Sequence, residues 1–83
     1  MAARPAPKRL ARKLLQIRIG LGLSQTELVK ELNYKASPLY PSQISQYEQG
    51  NREPPLMLLL AYARLAGVST DVLIDDKLSL PDS

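Results

Sequence analysis

In the stretch Pro41 to Gly50, PSQISQYEQG, three glutamines and two serines surround Ile44 and Tyr47, and no basic residue occurs, although the chain holds eleven Lys and Arg. A glutamine carries an acceptor and a donor on one planar end. Both atoms can engage the N6 and N7 edge of an adenine in a major groove, and one such pair discriminates between bases by about 1–3 kcal/mol. At helical spacing Ile44 and Tyr47 share one face with Glu48 beside them, while Ser42, Gln43, Gln46 and Gln49 share the other. Two readings follow: an ordinary polar helix surface, or a face that reads a partner through hydrogen bonds instead of charge.

Other chemistry is narrow. The chain has no Cys and no His, so disulfides, thiolate or imidazole metal ligation and imidazole acid–base catalysis are excluded. No paired carboxylates mark a cleft; neither enzyme activity nor a cofactor is expected. The longest apolar run, Leu56 to Ala63, is far shorter than the ~20 residues that span a bilayer. The basic start MAARPAPKRLARK lacks the apolar stretch and cleavage site of a secretory signal. A soluble, cytoplasmic protein is expected.

The net charge of +3 is unevenly spread. Arg4, Lys8, Arg9, Arg12, Lys13 and Arg18 all precede the first acid, Glu27; from there on five bases face eight acids. A basic beginning on a mildly acidic remainder suits a polyanion approached from one side. The alternative is a solvated helix face following a disordered arm. On the first view Arg9, Arg12 and Lys13 lie near phosphates.

Eighty-three residues allow one small domain. Phe and Trp are absent, so Leu, Ile, Val, Ala and Tyr must fill the core, which favours helices. Residues 1–7 read as a disordered basic arm, 8–76 as the domain and 77–83 as a tail. From Lys8, Leu10, Leu14, Ile17 and Leu21 recur at helical spacing, flanked by Ala11, Leu15 and Ile19, until Gly20 and Gly22. Ser24 with Glu27 forms a capping box that opens a second helix, buried through Leu28, Val29 and Leu32 and closed by Asn33. Pro41 starts a third helix at the position where its missing N–H costs nothing. A fourth follows from Leu56 to Ala66, ended by Gly67, and Ser69 caps a short fifth through Ile74. Tyr62 lies on the apolar side of the fourth. The sum is a compact all-α domain of five helices.

Two helices, Ser24–Leu32 and Pro41–Gln49, joined by a loop and preceded by a basic helix, have the layout in which one helix braces a second within the major groove. The segments GLSQTELVKEL, ISQYEQGNREPP and LLAYARLAGVSTDVL resemble the lambda-repressor-like, or Cro/XRE-type, helix-turn-helix family over roughly Lys13 to Ile74. The resemblance implies a five-helix domain that binds double-stranded DNA, usually as a homodimer on a two-fold operator. It implies base or adjacent contacts at Ser42, Gln43 and Gln46. Contacts to the DNA backbone are implied for Gln25, which also steadies the third helix, and for Gln49, Asn51 and Arg52. Arg18 and Glu48 match a partly buried structural salt bridge. The expected protein is a bacterial or phage-encoded transcriptional repressor, acting on the nucleoid.

The connection Asn33–Tyr40 is longer than the tight turn of relatives by some five residues. It is either a bland insertion or a means for Lys35, Ser37 and Tyr40 to reach a phosphate. Leu56, Leu73, Ile74, Leu78 and Leu80 form either a dimer surface or a cover over the core. A function of another class is also open: an antitoxin-like module whose main partner is another protein.

Overall fold

Five helices make up the computed structural model, which describes residues 7–81: α1 (Leu10–Gly20), α2 (Gln25–Leu32), α3 (Pro41–Glu48), α4 (Leu56–Ala66) and α5 (Thr70–Ile74). No strand occurs among the described residues. The basic arm expected over 1–7 lies outside them except for Pro7, as do the last two residues of the tail.

Local signals set most boundaries. Ser24 Oγ accepts from the Glu27 N–H at 3.0 Å and Glu27 Oε1 from the Ser24 N–H at 2.8 Å, so two otherwise unpaired donors at the start of α2 are satisfied. Asn33 ends α2 in the left-handed region at φ 49°, which a short amide side chain tolerates. Gly67, at φ 72°, ends α4 in the same way. Ser69 stands in extended conformation before α5, but its side chain makes no capping hydrogen bond; its expected role as a cap is corrected to that of position alone.

The core joins Leu10, Leu14 and Ile17 of α1 to Leu28 and Leu32 of α2, Ile44 and Tyr47 of α3, Leu58, Leu59, Tyr62 and Ala63 of α4, and Leu73 of α5. Helix α1 packs on α3 and α5, α2 on α3 and α4, and α4 on α5. Two residues assigned to the apolar side of α1 do not enter this core: Ile19 is 62 % exposed and Leu21 44 %. Leu73 corrects the expected dimer surface in the opposite sense. It is wholly buried and has no surface left for a second chain. Leu80 packs partly against the core, whereas Leu56, Ile74 and Leu78 are exposed.

The extended connection between α2 and α3 is held at both ends. Tyr34 and Leu39 pack against the core, and Lys35 to Pro38 between them are exposed. The inserted residues therefore face solvent between two positions anchored on the core.

One tertiary arrangement ties the two ends of the chain together. Lys13 is 2 % exposed on the buried side of α1. Its Nζ donates to the carbonyls of Val72 at 2.7 Å and Asp75 at 3.0 Å, satisfying acceptors where α5 ends. In return, Asp76 accepts the Lys8 and Arg9 N–H groups on its two carboxylate oxygens, each at 3.0 Å. Helix α1 has no side-chain cap from its own flanking residue; Asp76 supplies one from the far end of the sequence. The Arg9 guanidinium adds bonds to the Asp76 carbonyl at 2.8 Å and Ser79 Oγ at 3.3 Å.

Candidate nucleic-acid interface

Helix α3 is fixed from below and open above. Ile44 and Tyr47 sink into the core, and Ser42, Gln46 and Gln49 are exposed, with Gln43 half-buried beside them. The first turn of α3 is braced by its own sequence: the Tyr40 N–H donates to Gln43 Oε1 at 2.8 Å. Neither its first nor its last turn carries a charge of the kind that complements a helix dipole.

Glu48 fastens α3 to both preceding helices. Arg18 donates to it twice, from Nε to Oε2 at 2.7 Å and from Nη2 to Oε1 at 3.0 Å. This forked geometry suits a guanidinium and a carboxylate. Arg18 Nη1 reaches the Leu23 carbonyl at 3.0 Å, and Gln25 Nε2 donates to Glu48 Oε1 at 3.3 Å. The hydrogen bond to Glu48 raises the Arg18 pKa above its ordinary value. One carboxylate thus positions α3 against α1 through Arg18 and against α2 through Gln25. That contact occupies the end of the Gln25 side chain.

Below α3, its last glutamine is engaged internally. Gln49 Nε2 donates to Ser45 Oγ at 2.7 Å, and Gln49 Oε1 accepts from Asn51 Nδ2 at 3.2 Å. The Asn51 N–H donates to the Gln46 carbonyl at 3.0 Å, which folds the chain under the end of α3. At Gly50, φ 77°, an added β-carbon would sit 3.6 Å from Ala11 Cβ, so this turn lies on the beginning of α1. Arg52 follows it, exposed, as are Lys35 and Tyr40 on the connection before α3.

The basic cluster at the start of the chain is spent largely on folding. Lys13, expected near phosphates, is buried against α5. Desolvation, with Arg9 nearby, lowers its pKa, and the carbonyls of Val72 and Asp75 hold its ammonium. Arg9 is turned to Asp76 and Ser79. The assignment of Lys13 to the phosphate side is corrected, because its side chain is buried, whereas Arg9 remains exposed. Of the described members of that cluster, Arg12 and the Lys8 side chain alone are left without a bonded partner. The one signal for Lys13 in the sequence was its position, between Leu10 and Leu14 on the apolar stripe.

Tyr62 is fully buried, and its hydroxyl finds no hydrogen-bond partner among the described residues. Burial first, and the charge of Glu48 second, push its pKa up. No group of three or more potential metal ligands occurs among the described residues, and no helix is long and apolar enough to cross a membrane. A groove of about 530 Å³ opens between the end of α1, the end of α4 and Leu80–Pro81. No residue of α2 or α3 lines it, which separates it from the face just described.

A family model described as helix-turn-helix matches residues 14–73 of the chain, from Leu14 in α1 to Leu73 in α5. A search of curated proteins finds no match.

Proposed function

The chain belongs to the Cro/XRE-type helix-turn-helix family of DNA-binding transcription regulators, and from that premise we propose a sequence-specific repressor that occupies a two-fold operator as a homodimer. The observation that carries this reading is α3: a rigidly braced helix whose outer face, Ser42, Gln43 and Gln46, is polar, uncharged and accessible. Side chains of this kind read base edges, while sequence-independent affinity comes from neutralising phosphates. Arg12, Lys35 and Arg52 are exposed for that task, with Tyr40, Gln49, Asn51 and the start of α2 at Gln25 as uncharged backbone contacts. The free amides and dipole of the α2 N-terminus favour a phosphate there. Leu56, Ile74 and Leu78, exposed on α4 and around α5, supply the dimer surface. The protein acts on cytoplasmic, nucleoid DNA of a bacterium or phage.

Selection of binding sites from random duplex DNA, followed by the salt dependence of the best site, tests this reading. Enrichment of a two-fold symmetric site whose affinity falls steeply with salt is the expected result. Weak binding that is indifferent to sequence would end it. A second reading, an antitoxin-like module bound mainly to another protein, is favoured by Leu56 and Met57, which are 70 % and 58 % exposed. Under that reading operator-length duplexes leave the melting temperature unchanged at low salt.

A further inference from the structure

We propose that Lys13 is a positioning residue of the homodimer: from the buried side of α1 it fixes the surface carrying Ile74 and Leu78 relative to α3, and so sets the spacing of the two half-sites. The inference rests on the homodimer reading above and names the residue through which that dimer acquires its geometry.

The link lies at the edge of the family motif. Residues 14–73 are matched, and Lys13, Asp75 and Asp76 fall just outside them. Lys13 stands between Leu10 and Leu14 on the stripe that α1 buries, where an apolar side chain would pack without desolvating a charge. A buried ammonium must instead be compensated by hydrogen bonds. Its Nζ makes two, to the Val72 carbonyl at 2.7 Å and the Asp75 carbonyl at 3.0 Å. These two acceptors bracket Ile74 in the chain. The Asp75 carbonyl also accepts the Leu78 N–H at 3.0 Å, so the oxygen that Lys13 grips is the one that closes the turn leading to Leu78. Ile74 and Leu78 are the large apolar side chains left exposed at this end of the fold.

Packing alone would not orient them. Apolar contact is non-directional, and α5 is five residues long without a side-chain cap, too short to persist by itself. Two hydrogen bonds from one ammonium supply the direction. Five positions further along α1, roughly 7.5 Å by helical rise, Arg18 holds Glu48 of α3 through its own pair of bonds. One helix therefore grips α5 at Lys13 and α3 at Arg18, and the place of α3 relative to the dimer surface is set along α1. In a two-fold dimer any displacement of that surface occurs in both copies, and half-site spacing follows from where the two third helices lie.

The test compares the wild type with Lys13→Met, Lys13→Arg, Ile74→Glu and the double variant of Lys13→Met with Ile74→Glu. Circular dichroism melts follow the fold, sedimentation follows the dimer, and selection from random duplex DNA gives half-site sequence and spacing. Lys13→Met should fold and select the wild-type half-site at relaxed spacing. It should bind the wild-type two-fold site at least roughly tenfold more weakly, the loss of one charge-assisted hydrogen bond. Lys13→Arg, which keeps the donors, should retain the wild-type spacing. In the Ile74→Glu background Lys13→Met should leave affinity for a single half-site unchanged, because a residue that acts through the dimer surface is coupled to it. A merely structural role would lower the melting temperature and weaken binding equally in both backgrounds, which overturns the inference. So does Lys13→Met with wild-type spacing and affinity, or Lys13→Met that does not fold, while the homodimer reading stands. A wild type that is monomeric and enriches no two-fold site overturns both.

Discussion

Glu48 accepts three hydrogen bonds, two from Arg18 and one from Gln25, on a side chain 6 % exposed. Removing it strands a guanidinium that is itself 17 % exposed. A fully buried pair broken in this way costs about 3–5 kcal/mol; with water reaching Arg18, Glu48→Ala should cost about 2 kcal/mol in urea denaturation. An unchanged midpoint would mean that the pair contributes nothing to holding α3. Tyr62 makes the opposite case. Its buried hydroxyl has no partner among the described residues, and a buried unpaired polar group costs about 1–3 kcal/mol. Tyr62→Phe should therefore raise stability by about 1 kcal/mol, and a loss would reveal a partner to that hydroxyl. The motif surrounding Glu48 pointed to its pairing with Arg18. Nothing in the sequence showed that Tyr62 would be buried without a bond, because its spacing gives the face of a helix and not the atoms opposite it.

At the scale of elements, the short fifth helix depends on the first. Thr70–Ile74 is barely more than one turn, too short to persist alone, and Lys13 of α1 satisfies carbonyls at its end. Asp76 completes the exchange by capping α1. The Lys8 and Arg9 N–H groups stabilise its ionised form and hold its carboxyl below the usual range. Because the folded value is depressed, the resulting stability is fully present above the unfolded carboxylate value of about 3.9 and is lost as pH falls through the folded one. Glu27, held down by its bonds with Ser24, follows the same sign. Asp76→Asn should thus melt below the wild type at pH 7, with the gap closing as pH drops below about 4. Circular dichroism melts at pH 7, 5, 4 and 3 would show it, and a gap independent of pH would exclude the charge of Asp76 as its source.

For the whole molecule, the question is how a +3 chain divides its charge between folding and binding. Lys13, Arg9 and Arg18 are engaged internally. The field available to a polyanion therefore comes from fewer groups than the count of bases implies. Assembly makes up part of that shortfall under the proposed reading, since a dimer presents each remaining cation twice. Ile74→Glu, at a side chain 41 % exposed, should shift the protein from dimer to monomer in sedimentation. It should weaken a two-fold site at least roughly tenfold while changing folding stability by no more than about 0.5 kcal/mol. A dimer that persists in the variant would move the interface elsewhere.

What the sequence determined by itself is what residues three or four apart can specify. The capping box of Ser24 and Glu27, the left-handed Asn33, Pro41 at the start of α3 and Gly67 at the end of α4 each act within one turn, so four helix boundaries and the family motif were legible without the fold. Tertiary structure alone decided which exposed-looking charges are structural. Lys13 meets Val72 across 59 positions and Asp76 meets Lys8 across 68, distances over which no local spacing carries a signal. It also turned Leu73 inward, because a helix of five residues is too short for its period to reveal a face. In the same way it set Ile19 and Leu21 outside the core, at the end of α1 where no helix covers them as Leu14 and Ile17 are covered.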